Sequence, residues 1–332
     1  MKFSLRLNND HPVRTYVALA QLAESTGFDQ FWVSDDLFFR SAPVILTSVA
    51  TATTRIQLGT CILNPYTINP AEIAMLAATL DEVSGGRFNL GLSSGAADFL
   101  EWIGVEARQP RTALVESVEA IQHLMHGERA AFEGKFIQWT TEAYLRFAVL
   151  RPVPIYIGAM SPRMLGEIGR IGNGGLPLLF PPEHYQNVMP YICAGAAEAG
   201  RSLDDVDIAA CIWASVSDDK QAAEAVLAEK IAYYGHAMSE MILSQLGLSH
   251  ADFEPIEHVV MVENDLAKAR NLVTPQMLRI GIAGTAHDLI ERLETLTTLG
   301  VQHISFGPPL GPDLFAAVET IGREVIPHFR KH

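Results

Sequence analysis

Ile56-Gln57-Leu58-Gly59-Thr60-Cys61-Ile62-Leu63-Asn64-Pro65-Tyr66-Thr67-Ile68-Asn69-Pro70 opens as an alternating apolar run and breaks at Asn64-Pro65. Proline has no N–H for a strand ladder and asparagine favours turn geometry, so the strand ends there. Pro70 stands where a first helical residue tolerates proline. The segment therefore reads as strand, rigid loop and helix start, with the loop at the strand's carboxyl end, where parallel α/β folds hold ligands. An ordinary βα turn has the same look.

Outward from this stretch the same unit recurs about every 30 residues. Apolar runs predict strands over 3–8, 31–33, 56–63, 88–92, 154–159, 176–180, 207–216 and 302–306. Helical spacing falls between them, over 10–28, 43–54, 71–83, 110–127, 161–171, 188–199 and 285–299. The rhythm predicts an α/β fold, a closed (β/α)8 TIM barrel as one domain over 1–332. Two interruptions stand out: an excursion over 128–152 with a hairpin at Glu133-Gly134-Lys135, and a helical insertion over 218–278 between strands seven and eight. An open doubly wound sheet would want a Gly-x-Gly-x-x-Gly turn after the first strand, and Leu7-Asn8-Asn9-Asp10 has no glycine.

Composition sets outer bounds. The chain has 332 residues, 48% of them hydrophobic and 19% charged, which is enough apolar material for a large core. No apolar run reaches the ~18 residues of a membrane span, and residues 1–10 read as a strand and not as a signal peptide. The expectation is a cytoplasmic protein with no membrane partner. A net charge of −14 argues against nucleic acid, whose binding rests on cationic neutralisation of phosphates. Cys61, Cys193 and Cys211 have no metal-ligand spacing and an odd count, so neither a metal site nor a disulfide framework is predicted.

Four stretches carry a resemblance. Phe31-Trp32-Val33-Ser34-Asp35, Leu58 to Thr67, Leu80-Asp81-Glu82-Val83-Ser84-Gly85-Gly86-Arg87 and Pro154-Ile155-Tyr156-Ile157-Gly158-Ala159 resemble the bacterial luciferase-like family. Within it they are most similar to the deazaflavin (coenzyme F420)-dependent branch that includes methylenetetrahydromethanopterin reductase. The resemblance implies an oxidoreductase that passes hydride between coenzyme F420 and a small organic substrate, acting as a homodimer. The alternatives are a flavin mononucleotide (FMN)-dependent monooxygenase and a non-catalytic relative that only binds the cofactor.

The resemblance also implies a site. Thr60, Cys61 and Ile62 would form a platform under the tricyclic ring, with a cis peptide at Cys61–Ile62. Asp35, Ser93 and Ser94 are candidate ring contacts, and helix capping is the other reading of all three. Gly158, Ala159, Met160, Ser161 and Arg163 would clamp a phosphate. Chemistry supports that clamp independently: a glycine permits close approach, Ser161 is a natural N-cap, Pro162 fits the first helical position, and a helix start attracts anions.

The chain departs from the family where relatives handle protons. Many deazaflavin enzymes follow the strand-two aspartate with histidine, and this chain has Asp36. The alcohol and sugar-phosphate dehydrogenases carry a glutamate where Ala96 stands, and the methylenetetrahydropterin reductases carry one where Arg6 stands. Methyl and guanidinium groups are poor proton carriers, so Asp36, Asp98 and Glu101 are the acid candidates at the barrel mouth, and Arg6 is a catalytic-site candidate for binding an anionic substrate or cofactor group. Trp32 and Trp102 read as packing residues, His303 as a satisfied core histidine and His184 as a solvated loop residue. Arg40 could pair with Asp36 or meet an anion.

Overall fold

The computed structural model describes residues 1–330 and shows eight parallel strands closed into a ring. These are β1 Lys2–Leu7, β2 Gln30–Val33, β3 Gln57–Thr60, β4 Phe88–Leu92, β5 Ile155–Ala159, β6 Gly174–Pro177, β7 Asp207–Val216 and β8 His303–Leu310. Each pairs with the next, and β8 pairs with β1 to close the barrel. Outside lie α1 Val13–Thr26, α2 Ala42–Ala52, α3 Pro70–Ser84, α4 Ala97–Trp102, α5 Pro110–Met125, α6 Pro162–Ile171, α7 Tyr185–Glu198 and α8 Lys220–Tyr234.

Alternation along the strands makes two cores. Phe3, Leu5, Phe31, Leu58, Leu90 and Ile157 belong to the large cluster between strands and helices. Trp32, Tyr156, Leu176, Ala209 and Cys211 form a smaller one inside the barrel, with Cys61, Ile62 and Leu178 packed on it. Glycines make room for its rings. A Cβ on Gly59 would lie 2.1 Å from the Trp32 ring, and one on Gly174 would lie 2.2 Å from that of Tyr156.

The segment Leu80 to Arg87 holds the fold together. Gly85 ends α3 in the left-handed region at φ 67°, and the Arg87 guanidinium donates to the carbonyls of Ala50, Thr53 and Ile56. Asp81 is buried against Arg151, whose Nη2 lies 2.9 Å from Oδ1.

Most strands form where the spacing predicts them, but the third ends at Thr60 and not at Leu63, which makes only an isolated bridge to Leu92, and the eighth runs on to Leu310. The sixth starts at Gly174, two residues earlier than expected, because Gly174 and Gly175 serve close packing against Tyr156 and Ile168 and not a turn. A short strand, Ile282–Gly284, adds to β7 at Ala214–Val216. The 97–102 stretch coils into α4, which no periodicity announced. In the excursion, Phe132–Glu133 pairs with Gln138–Trp139 as a hairpin. Over 220–278 the chain is helical apart from its turns, and its apolar cluster takes in Trp213 from β7 and Phe180 from the loop after β6.

Candidate active site

The strand ends place most of the candidate residues around one mouth. Ile62 follows β3, Ser93 follows β4, and Gly158 lies in β5. The Ser93 hydroxyl donates to the Gly158 carbonyl at 2.7 Å, and a Cβ on Gly158 would come within 3.0 Å of Ile62 Cγ2. The Cys61–Ile62 peptide is cis. Asn64 supports this rim, its Oδ1 accepting the N–H groups of Tyr66 at 3.1 Å and Thr67 at 3.0 Å. Thr60 is fully buried and its hydroxyl donates to the Gly91 carbonyl at 3.1 Å, which ties β3 to β4.

The predicted clamp has an open face. Ser161 sits at the N-cap of α6 in an extended conformation, its hydroxyl makes no capping bond, and Pro162 follows. The first N–H to bond back is that of Leu165, to the Ser161 carbonyl, so the N–H groups of Arg163 and Met164 precede the intrahelical ladder. Met160, Ser161 and Arg163 are exposed, whereas Ala159 is buried. A phosphate seated here would meet free N–H groups, a free hydroxyl, the helix dipole and a guanidinium.

Asp35 is tied to the helix start. Its Oδ1 accepts the Ala42 N–H at 2.8 Å, so it caps α2. Ser93 bridges two strands, and Ser94 makes no side-chain hydrogen bond among the described residues. Asp36 is held by its backbone, whose carbonyl accepts from Asn9 Nδ2 at 2.9 Å. Burial raises the Asp36 carboxyl above its ordinary range, the charge of Asp35 adds to this, and Arg6 and Lys230 act against it. Asp98 is exposed on α4 and is absent from the charges that act on Asp36. The Cys61 thiol is pushed up to about 12 by burial, so it is no nucleophile at neutral pH.

Arg6 points from β1 into the barrel. It is 6% exposed, its Nη2 lies where a Cβ on Gly307 would be, at 2.1 Å, and its Nε and Nη2 have no hydrogen-bond partner. Three residues of the mouth escaped the sequence reading: Trp213, Phe180 and Lys230. The rings of Trp213 and Phe180 stand 4.3 Å apart, and Lys230 Nζ from α8 lies 4.9 Å from both the Trp213 and Tyr234 ring centroids. Nothing in the local pattern of Lys230 separates it from other helix lysines.

Two expectations fail, and one of the two alternatives for Arg40 closes. Trp102 is 67% exposed and meets the rings of Phe38 and Phe99 at a tilt, forming an aromatic lip and not a core. His184 is buried beside Gln245, its Nδ1 at 3.0 Å from Oε1, because the insertion folds over the loop that carries it. Arg40 donates to the Asp10 carbonyl and forms no ion pair with Asp36.

A second constellation lies at the opposite end. Ser4 Oγ is 3.0 Å from His303 Nε2, and His303 Nδ1 is 3.0 Å from Asp207 Oδ1, an order that resembles a hydrolytic triad. Ser4 is fully buried, so no substrate reaches it, and His303 is the satisfied core histidine that its strand position predicts. Tyr156 and Lys2 also bind Asp207, and the cluster bolts the barrel floor.

The residues at the mouth would suit a ring platform beside an anion-binding helix start. Residues 1–303 match the luciferase-like monooxygenase family model. A 5,10-methylenetetrahydromethanopterin reductase of Methanolobus tindarius is 35% identical over 329 residues, covering 98% of this chain and 100% of the relative. An F420-dependent glucose-6-phosphate dehydrogenase of Nakamurella multipartita is 30% identical over 94% of this chain and 91% of its own length. The solved coenzyme F420-dependent tetrahydromethanopterin reductase of Methanopyrus kandleri superposes with a TM-score of 0.93 at 31% identity, covering 99% of each chain. On this match over nearly its whole length, the chain belongs to the luciferase-like monooxygenase family.

Proposed function

We propose that this chain is a coenzyme F420-dependent oxidoreductase that exchanges hydride with a small organic substrate at the carboxyl mouth of the barrel. The observation that carries the reading is the joined rim of Ile62, Ser93 and Gly158 beside the open N-terminus of α6. When bound, coenzyme F420 supplies a two-electron hydride donor or acceptor.

The chain's own residues do the rest. The Cys61–Ile62 bulge would support the ring, with Ser94 at its edge, and the N–H groups after Pro162, with Ser161 and Arg163, would hold its phosphate. Asp35 shapes the rim by fixing α2. Asp36, whose carboxyl burial shifts above its ordinary range, would place on the substrate the proton that accompanies hydride transfer. Phe38, Phe99 and Trp102 border the entrance and would exclude water. The named relatives make methylenetetrahydromethanopterin the first substrate to assay.

No helix among the described residues is long and apolar enough to cross a membrane, which supports a cytoplasmic enzyme. The homodimer is proposed on the family resemblance alone. The test is a titration of the protein with coenzyme F420 and with FMN, followed by fluorescence. Preferential binding of coenzyme F420 is expected. Preference for FMN would move the chain to the monooxygenases, and binding of neither would overturn the reading.

A further inference from the structure

A cavity of about 400 Å³ opens on the carboxyl face of the barrel, where the ends of β1 and β8 meet α8. Three prolines, Pro308, Pro309 and Pro312, form one wall at the end of β8. Proline fixes its own φ, and Leu310 between them is fully buried, so this wall is preformed. Val226 of α8 and Leu266 add apolar side chains. Asn8 and Asp10 line the side of β1, and Asn9 between them donates Nδ2 to the Asp36 carbonyl at 2.9 Å. The cavity thus adjoins the segment that carries the proposed proton donor.

Lys230 reaches this cavity from α8 with its charge unspent. Its Nζ lies 4.9 Å from the ring centroids of both Trp213 and Tyr234, and aromatic faces stabilise an ammonium without neutralising it. Among the described residues Lys230 forms no ion pair, and its Nζ is neither hydrogen-bonded nor sealed from the cavity. The two acids of the lining are engaged elsewhere: Asp10 faces His11 at 3.7 Å, and Glu229 faces Arg270 at 3.9 Å. Burial lowers the Lys230 pKa to about 8, with Arg6 adding like charge, so the ammonium is still the main form near neutral pH.

One ammonium beside two carboxylates balances a single negative charge, and a dianion would be left in excess. We propose that this cavity takes a monocarboxylate with an apolar body, its carboxylate on Lys230 and its hydrocarbon against the prolines, as the acid-bearing end of the substrate. The substrate class is therefore an organic acid. This rests on the reading of the mouth as the place where coenzyme F420 meets its substrate.

The test uses benzoate and hexanoate as probes, with benzamide and hexanamide as neutral counterparts and phenyl phosphate as the dianion. Binding is followed by calorimetry on the full chain, alone and loaded with coenzyme F420. At least one acid should bind about tenfold or more tighter than its amide and than phenyl phosphate, the difference expected of a hydrogen bond to a charged group. Lys230→Met should bring that acid down to the level of its amide, and Lys230→Arg should keep most of the difference. If Lys230→Met does not fold, Lys230→Gln takes its place. Filling the cavity with Leu266→Trp should weaken acid and amide alike, which ties the probe to this place.

Equal binding of acids and amides, no binding of either acid, or an acid preference that survives in the Lys230→Met protein overturns the assignment. Tighter binding of phenyl phosphate overturns it as well, and so does an acid whose affinity Leu266→Trp leaves unchanged. An acid that coenzyme F420 displaces overturns it in another way, by giving the cavity to the cofactor. Lys230-dependent acid binding in a protein that takes neither coenzyme F420 nor FMN would leave the carboxylate site standing and remove only the cofactor reading.

Discussion

Asp36 and Asp207 are both partly buried aspartates, and their surroundings drive them apart. Around Asp36 burial dominates, Asp35 and Asp10 add like charge, and Arg6 and Lys230 oppose them without contact, so the proton is held above the ordinary carboxylate range. An acid of this kind is active while protonated, so turnover falls as pH rises through its raised value. Asp36→Asn should remove that limb of the pH–rate profile and lower kcat about a hundredfold, with coenzyme F420 affinity unchanged. Burial would raise Asp207 too, but the hydrogen bond and charge of His303, aided by Lys2, hold its carboxyl well below the usual range. A carboxylate with a lowered folded value contributes stability that is present above its unfolded value near ~4 and lost as pH falls below it. Asp207→Asn should therefore cost about 3 kcal/mol at pH 7 and flatten the acid limb of the stability curve, as read by urea unfolding across pH 3 to 7 (a range of about four units).

At the scale of elements, α6 separates capping from binding. Because the Ser161 hydroxyl makes no capping bond, its loss has no helix bond to break. Ser161→Ala should leave the thermal midpoint within about 1 °C and weaken coenzyme F420 about threefold to tenfold, roughly one hydrogen bond to a charged group. A Ser161→Ala variant that loses stability and keeps its affinity would make the residue a cap. This element was legible in sequence because Gly158, Ser161 and Pro162 are local signals, each with a backbone reason. The turn at Asn64-Pro65 is local as well, an Asx turn, although the paired strand stops earlier than expected, at Thr60. The other half of the mouth was not legible. Lys230 and Trp213 meet through an insertion that folds back over β7, and no spacing encodes that contact. Glycine hid a boundary in the same way: Gly174 and Gly175 fall before the strand expected from 176, yet they are strand residues emptied of side chain so that Tyr156 and Ile168 can pack.

The whole molecule carries 38 acidic and 24 basic residues, a net charge of −14, and the ligand proposed for it is an anion. Two fields therefore act on the approaching cofactor. The distant one is repulsive and is set by net charge; the near one is attractive, from the α6 N-terminus and Arg163. Salt separates them by range. The screening length is roughly 30 Å at 10 mM and about 8 Å at 150 mM salt, so added salt erases the distant repulsion first, while the partly enclosed contacts are screened much less. The association rate for coenzyme F420 should therefore rise severalfold over that interval, with the dissociation rate changing by less than about twofold. Stopped-flow fluorescence at three salt concentrations measures both rates. An association rate that falls with salt would mean that the cations at the mouth already govern the field where encounter begins, and that the acidic residues lie on surfaces the cofactor never crosses.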